Sequence, residues 1–200
     1  MMNIDLIYQY LEEYSDKSIK KFCELFYNSP KEVGFIPEDI PQLCDVLFRI
    51  ECNLEDENSY NIDWPLKDNI LDTILCLAVE SGDSHWIDVI VRFMNSFNSI
   101  SRPYLQHANE VIISEFLFGE LEEDPPKVEK RRDIFLKSLK SNCSNYKQTL
   151  NNFCLEYVQM FEKRIPFETG VNREALEKAI RVSKKILHFL KSEKDISTFE

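Results

Sequence analysis

Apolar side chains recur every three to four residues along most of this chain, which is the period of a helix face and not the alternation of a strand. Leu43, Leu47 and Ile50 illustrate the spacing. The helices predicted in this way cover residues 4–13, 18–28, 38–52, 66–81, 84–98, 103–118, 127–141, 144–164 and 173–191. We therefore predict an all-α fold of compact antiparallel helical hairpins, with eight or nine helices and no significant sheet.

Glycine is scarce in this chain, with 4 residues in 200 against an average of about 7%. No Asn-Gly, Asp-Gly or Gly-Gly pair is present, although tight β-hairpins usually turn at such pairs. One glycine lies between two predicted helices, in Ser81-Gly82-Asp83. Gly82 suits the left-handed C-cap of the first helix, and Asp83 suits the N-cap of the second.

The helix pair around this turn resembles one ankyrin repeat over residues 68–94. The residues that carry the resemblance are Thr73, Leu75, Leu77, Ala78 and Gly82. Ile74 stands where that family has proline and Cys76 where it has histidine, and no second copy follows at a step of about 33 residues. The resemblance implies a helical-repeat scaffold that binds protein. A generic antiparallel helix pair explains the same pattern without shared ancestry.

Charge divides the chain into two segments, which meet at Pro125-Pro126, a pair that cannot continue a helix. Residues 1–124 carry 25 acidic side chains against 8 basic ones, a net of −17, and residues 125–200 carry 10 against 16, a net of +6. We predict an acidic helical-hairpin segment, 1–124, and a basic three-helix segment, 125–200, packed on it. A single domain is the alternative. Charge of one sign attracts partners of the other, so the asymmetry concerns binding.

Catalytic and metal-binding motifs are missing from the sequence. The histidines, at 85, 107 and 188, form no H-E-x-x-H motif, and no G-x-S-x-G, G-x-x-x-x-G-K-[ST] or G-x-G-x-x-G is present. The acidic clusters lack the ligand spacing of a calcium loop. We expect no catalytic residues, no metal site and no cofactor, hence a protein that is not an enzyme. An enzyme with an unrecognised carboxylate and histidine site is the alternative.

The cysteines and the N-terminus point to the cytoplasm. None of the six cysteines forms a C-x-x-C pair, and most occupy apolar helix positions, so we expect reduced thiols that pack as small hydrophobic side chains. The sequence begins without the basic and apolar regions of a signal peptide. Its apolar runs are shorter than the roughly 18 residues that a membrane span needs.

A polar connection between two predicted helices is the best candidate for a binding surface. It runs over residues 53–63 and ends at Trp64-Pro65. The predicted partner-binding residues are Glu55, Asp56, Glu57, Asp63 and Trp64, because an aromatic anchor stands there among exposed charges. The second acidic cluster, at 120–124, has the character of a linker. The amphipathic C-terminal helix, 173–191, is expected to pack on the body, with docking on a membrane or a partner groove as its alternative.

These observations favour a non-enzymatic, cytoplasmic protein-binding module. Its sharpest form is an acidic inhibitor or immunity-type protein that neutralises a basic protein partner such as a toxin or nuclease, because complementary potentials speed capture and reject wrong partners. The net −17 of the first segment opposes direct binding of nucleic acid. A pathogen effector or adaptor that acts through helix-groove contacts is the alternative within the same class.

Overall fold

The computed structural model describes residues 4–13, 16–26, 33–52, 64–97, 103–119 and 124–192. Within these ranges it contains nine α-helices and no strand, which confirms the all-α prediction. The helices are α1 (Ile4–Glu13), α2 (Asp16–Phe26), α3 (Ile40–Cys52), α4 (Trp64–Ser81), α5 (Ser84–Phe97), α6 (Pro103–Phe118), α7 (Pro125–Asn142), α8 (Tyr146–Arg164) and α9 (Gly170–Lys191). Short 3-10 turns precede α3 at Pro37–Asp39 and follow α8 at Ile165–Phe167.

By its internal contacts the chain divides into two units, which we call unit 1 (Met1–Asn109) and unit 2 (Glu110–Glu200). This division falls within α6, whereas the two charge segments meet at Pro125. Counted by unit, the sequence gives unit 1 19 acidic residues against 8 basic ones, and unit 2 16 against 16. The whole net charge of −11 therefore belongs to unit 1.

Unit 1 is built around α3 and α4. The helix α3 packs against α4 and α5, and α2 packs against α1 and α4. Apolar side chains cover more than one side of α4, so this helix is enclosed rather than laid on a surface. The fully buried or nearly buried ones along α4 are Leu66, Ile70, Leu71, Ile74, Leu75, Leu77 and Ala78.

Unit 2 is dominated by the hairpin of α8 and α9. The inner side of α9 is apolar, with Leu176, Ile180 and Ile186 buried. Aromatic rings join the remaining helices: Phe116 of α6 stacks on Phe135 of α7 with ring centroids 5.1 Å apart. The other side of α9 is exposed, so this helix is amphipathic in the ordinary sense of a surface helix.

The turn between α4 and α5 has the conformation that the sequence predicts. Gly82 lies in the left-handed region with φ 64°. The Asp83 carboxylate accepts a hydrogen bond of 2.9 Å from the His85 backbone amide at the beginning of α5. Trp86 is half-buried in this helix pair. The caps confirm the helix pair, which is the structural content of the ankyrin resemblance; one pair alone does not show a repeat.

The described cysteines are mostly buried, as expected from their apolar sequence positions. Cys44, Cys143 and Cys154 are buried thiols. Cys76 is exposed, so the expectation that it packs as a small hydrophobic side chain is wrong at this position. The reason is its register: Cys76 lies one turn from both Asp72 and Glu80, on the polar side of α4.

Candidate functional site

The charged side chains on the polar face of α4 are all acidic. Asp68, Asp72 and Glu80 lie along one side of the helix, with Cys76 between them, and Asp83 follows in the turn after its last residue. Asp68 is half-buried, and the other three acidic side chains are exposed. We call Asp68, Asp72, Glu80 and Asp83 the acidic face of α4.

The one basic residue of α4, Lys67, does not reach this face. Lys67 is 4% exposed and forms a buried ion pair with Glu51 of α3, which is 2% exposed. Its Nζ donates a hydrogen bond to Glu51 Oε1 and lies 5.1 Å from the centroid of the Tyr104 ring. The only cation of the helix is thus neutralised inside unit 1, and the charge that α4 presents to solvent is acidic alone.

The positions of Glu51 and Lys67 in the sequence explain why both side chains are buried. Lys67 precedes Ile70, Leu71 and Ile74 at helical spacing, so it falls on the buried side of α4. Glu51 follows Ile50 at the end of α3 and is brought to the same junction. Sequence reasoning treated both as ordinary charged residues and missed them. The usable signal was a charge within an apolar stripe, since buried charges are nearly always paired.

Tyr104 and Asp68 connect the buried ion pair with the acidic face of α4. The Lys67 Nζ lies over the Tyr104 ring, and the Tyr104 hydroxyl lies near Asp68. Burial raises the pKa of the Tyr104 hydroxyl, and the nearby Asp68 carboxylate raises it further. Tyr104 is 2% exposed and therefore stays protonated. His107, one turn along α6, places its Nε2 3.3 Å from Asp68 Oδ1. His107 of α6 therefore lies beside a carboxylate of α4, a contact that its position in the sequence does not predict.

Like charges meet on the acidic face itself. Burial raises the pKa of Asp72, and the charge of Asp68 one turn earlier raises it further. Both side chains lie partly in solvent, so the effect on stability is small. Because Lys67 is buried against Glu51, no cation of α4 offsets these negative charges.

The residues predicted from sequence to bind the partner stand immediately before this face in the chain. Glu55, Asp56, Glu57 and Asp63 lie outside the described residues, and so does the side chain of Trp64, with which α4 begins. The assignment of these five residues stays a prediction. The acidic cluster at 120–123 also lies outside the described ranges.

Two further properties of the described residues bear on chemistry. No group of three or more His, Cys, Asp and Glu side chains in these ranges could hold a metal ion. Over the same ranges no helix is both long enough and apolar enough to cross a membrane. The remaining histidines are exposed: His85 lies against Trp86 with ring centroids 4.8 Å apart, and His188 lies near the end of α9.

Compared with protein families, with curated proteins and with solved structures, the chain matches none of them.

Proposed function

We propose that this protein is a non-enzymatic binding module whose acidic unit 1 captures a basic protein, in the manner of an inhibitor or immunity-type protein in the cytoplasm. One observation carries the proposal. The single basic residue of α4 is buried against Glu51, so the charged side chains that the helix exposes are all carboxylates.

Charge placement on α4 supports recognition of a cation. Asp68 and Asp72 lie one turn apart, and the charge of the first helps to raise the pKa of the second. A lysine or arginine of a partner between them would offset this repulsion and form charge-assisted hydrogen bonds. Glu80 extends the same side of the helix by about two further turns, or about 12 Å, and Asp83 follows in the turn after Gly82.

The polar connection before α4 extends the acidic sequence without interruption. Residues 53–63 contain Glu55, Asp56, Glu57 and Asp63 and no basic residue. A basic partner that approaches the acidic face of α4 would be attracted by the negative charges of that face and by those of the polar connection. Such a field acts mainly on the rate of encounter and rejects acidic competitors.

The experiment compares matched charge removals within unit 1. The partner is captured from the native host on the immobilised protein, purified, and its association rate is measured against salt. Asp72→Ser/Glu80→Ser removes two charges from the acidic face, and Glu12→Ser/Glu38→Ser removes two exposed charges elsewhere in unit 1. We expect the first pair to slow association several-fold and the second pair to leave it nearly unchanged, because close charges dominate steering.

The sequence-predicted residues are tested in the same assay by Glu55→Ser/Asp56→Ser/Glu57→Ser, against Glu120→Ser/Glu122→Ser/Glu123→Ser as a charge-matched control. We expect the first triple variant to slow association more. An association rate that ignores salt and all four variants would leave the acidic surface with a role in solubility only.

Cys76 offers a second readout that reports contact rather than charge. It is exposed in the middle of the acidic face, whereas Cys44, Cys143 and Cys154 are buried. Burial also raises the pKa of the Cys154 thiol to about 12, so that thiol reacts slowly at neutral pH. In a Cys23→Ser/Cys52→Ser background, we expect the bound partner to protect Cys76 from a maleimide. Unchanged labelling of Cys76 at saturating partner would contradict contact at this face.

A further inference from the structure

The hairpin of α8 and α9 ends in two apolar side chains that nothing in the described structure covers. Phe167, in the 3-10 turn, is 86% exposed, and Val171, in the first turn of α9, is 63% exposed. Single exposed apolar residues are common on protein surfaces, but they are seldom phenylalanines this fully exposed. We call Phe167 and Val171 the tip of the hairpin. A binding surface that buries an aromatic ring would remove Phe167 from water.

Basic side chains share the outward side of α9 with Val171. Lys178, Arg181 and Lys185 follow at spacings of three and four residues, which places them on one side of the helix. Arg181 and Lys185 are exposed and Lys178 is half-buried. We call Lys178, Arg181 and Lys185 the basic face of α9. Buried Leu176, Ala179, Ile180, Ser183 and Ile186 mark the opposite side.

Acidic residues near the tip are largely neutralised by neighbours in the hairpin. Glu162 accepts a hydrogen bond of 2.7 Å from Lys184, and Glu168 pairs with Arg164 at 3.0 Å. Glu177 pairs with Arg173, also at 3.0 Å. Glu174 adds an exposed negative charge on the side of the basic face, and Lys185 interacts with the half-buried Asp133 of α7. The tip is thus apolar and nearly neutral, and the helix beyond it is basic.

We propose that the basic face of α9, with Phe167 and Val171, docks on an anionic lipid bilayer. The face would lie along the headgroups while the two apolar side chains enter the interfacial layer. A bilayer supplies both complements in one plane, negative charge and an apolar layer directly beneath it. Physiological salt screens exposed charges over about 8–10 Å, so the acidic residues of unit 1 weaken this attraction only within that distance.

Other partners fit the two features less well. A nucleic acid offers phosphates to the basic face, but it has no apolar layer for the aliphatic Val171. A second copy of the chain could present the acidic face of α4. Exposed ion pairs contribute little each, however, and such a contact would leave Phe167 in water.

The test is co-sedimentation of the full chain with vesicles of phosphatidylcholine alone and of phosphatidylcholine with phosphatidylserine. We expect binding to the anionic vesicles only, weakening with salt. Lys178→Ser/Arg181→Ser/Lys185→Ser should weaken partitioning about a hundredfold, since each basic residue near an anionic bilayer contributes about fivefold. Phe167→Ser should weaken it by about tenfold or more.

Two matched variants control for charge and for exposed apolar area. Lys17→Ser/Lys20→Ser/Lys21→Ser removes the same charge from exposed positions of α2, and Leu155→Ser removes an apolar side chain that is 41% exposed elsewhere on α8. We expect both to bind anionic vesicles like the unaltered chain. All the altered positions are at least partly exposed, and circular dichroism verifies that each variant folds.

Insertion itself is tested by Phe167→Trp, whose fluorescence should shift to shorter wavelength on anionic vesicles relative to the unaltered chain. The proposal is overturned by equal binding to neutral vesicles, or by binding that ignores both the basic face and Phe167. It is also overturned if an oligonucleotide binds through the same residues while vesicles do not. None of these outcomes depends on the basic protein partner proposed for unit 1.

Discussion

The helices α4 and α9 place their charges in opposite ways. α4 is enclosed by apolar neighbours, and its one cation is buried in a pair with Glu51, so its exposed side is acidic. α9 buries one side only and holds its cations outward, while Glu177 is paired with Arg173. Burying Lys67 leaves α4 with exposed charges of one sign, whereas pairing Glu177 leaves α9 mainly basic, with Glu174 as a remaining exposed carboxylate. The fold therefore determines which charges each helix exposes, and a count of charges along the sequence does not show this.

The largest expected effect comes from breaking the buried pair of α4. Lys67→Met leaves the Glu51 carboxylate buried without its cation, which should lower the free energy of unfolding by about 3–5 kcal/mol. Lys184→Met breaks an exposed pair of α9 with Glu162, where both side chains are half in solvent, and should cost less than about 1 kcal/mol. Urea denaturation of both variants measures the difference.

Removing both charges of the buried pair provides the control. In Lys67→Met/Glu51→Leu no charge is left uncompensated, so we expect much of the lost stability to return. If Lys67→Met alone costs no more than Lys184→Met, then Lys67 is solvated in solution and the difference between the two helices disappears.

The sequence predicts local features of this structure better than contacts between helices, for a physical reason. Helix positions and the Gly82-Asp83 turn follow from local spacing and backbone preference, and both are confirmed. The pairing of Lys67 with Glu51 depends on how α3 meets α4, which no local pattern specifies. Charge counts divide the chain at Pro125 and internal contacts divide it within α6; the two divisions describe different properties, and the predicted charge segments stay a prediction. The residues predicted to bind the partner are sites of intermolecular contact, which the fold of one chain does not specify.

An intermediate effect is expected at the glycines that bound the two helices. Gly82 ends α4 with φ 64°, and Gly170 begins α9 with φ 56°. A Cβ at either position meets no atom within 4 Å, so valine would be penalised by backbone strain and not by a clash. We expect Gly82→Val and Gly170→Val each to lower stability by roughly 1–2 kcal/mol, and Gly82→Asn by less.

Thermal or urea denaturation of these variants measures the strain. Equal stability of Gly82→Val and Gly82→Asn would contradict the left-handed conformation at that turn. A loss of stability at Gly82 but none at Gly170 would mean that the backbone rearranges more easily at the beginning of α9 than at the end of α4.

The smallest expected effect distinguishes the two charge environments by pH and salt. Burial raises the pKa of Asp72, and Asp68 raises it further. Burial also raises the pKa of Asp133 in α7, but there Lys137 and Arg132 lower it. A carboxyl with a raised pKa binds its proton more tightly in the folded state, so its cost is absent at low pH and appears as pH rises above about 4.

Asp72→Asn and Asp133→Asn should therefore each stabilise the protein near neutral pH, by less than about 1 kcal/mol because both side chains reach solvent, and should change little near pH 3. Salt should separate them. Screening relieves the repulsion between Asp68 and Asp72, so the gain from Asp72→Asn should shrink as salt is added. Screening weakens the attraction of the cations for Asp133, so the gain from Asp133→Asn should grow. Urea denaturation at low and high salt, at both pH values, measures the two trends. Trends of the same sign would mean that the acidic face of α4 carries no more uncompensated charge than the cation-rich surface of α7.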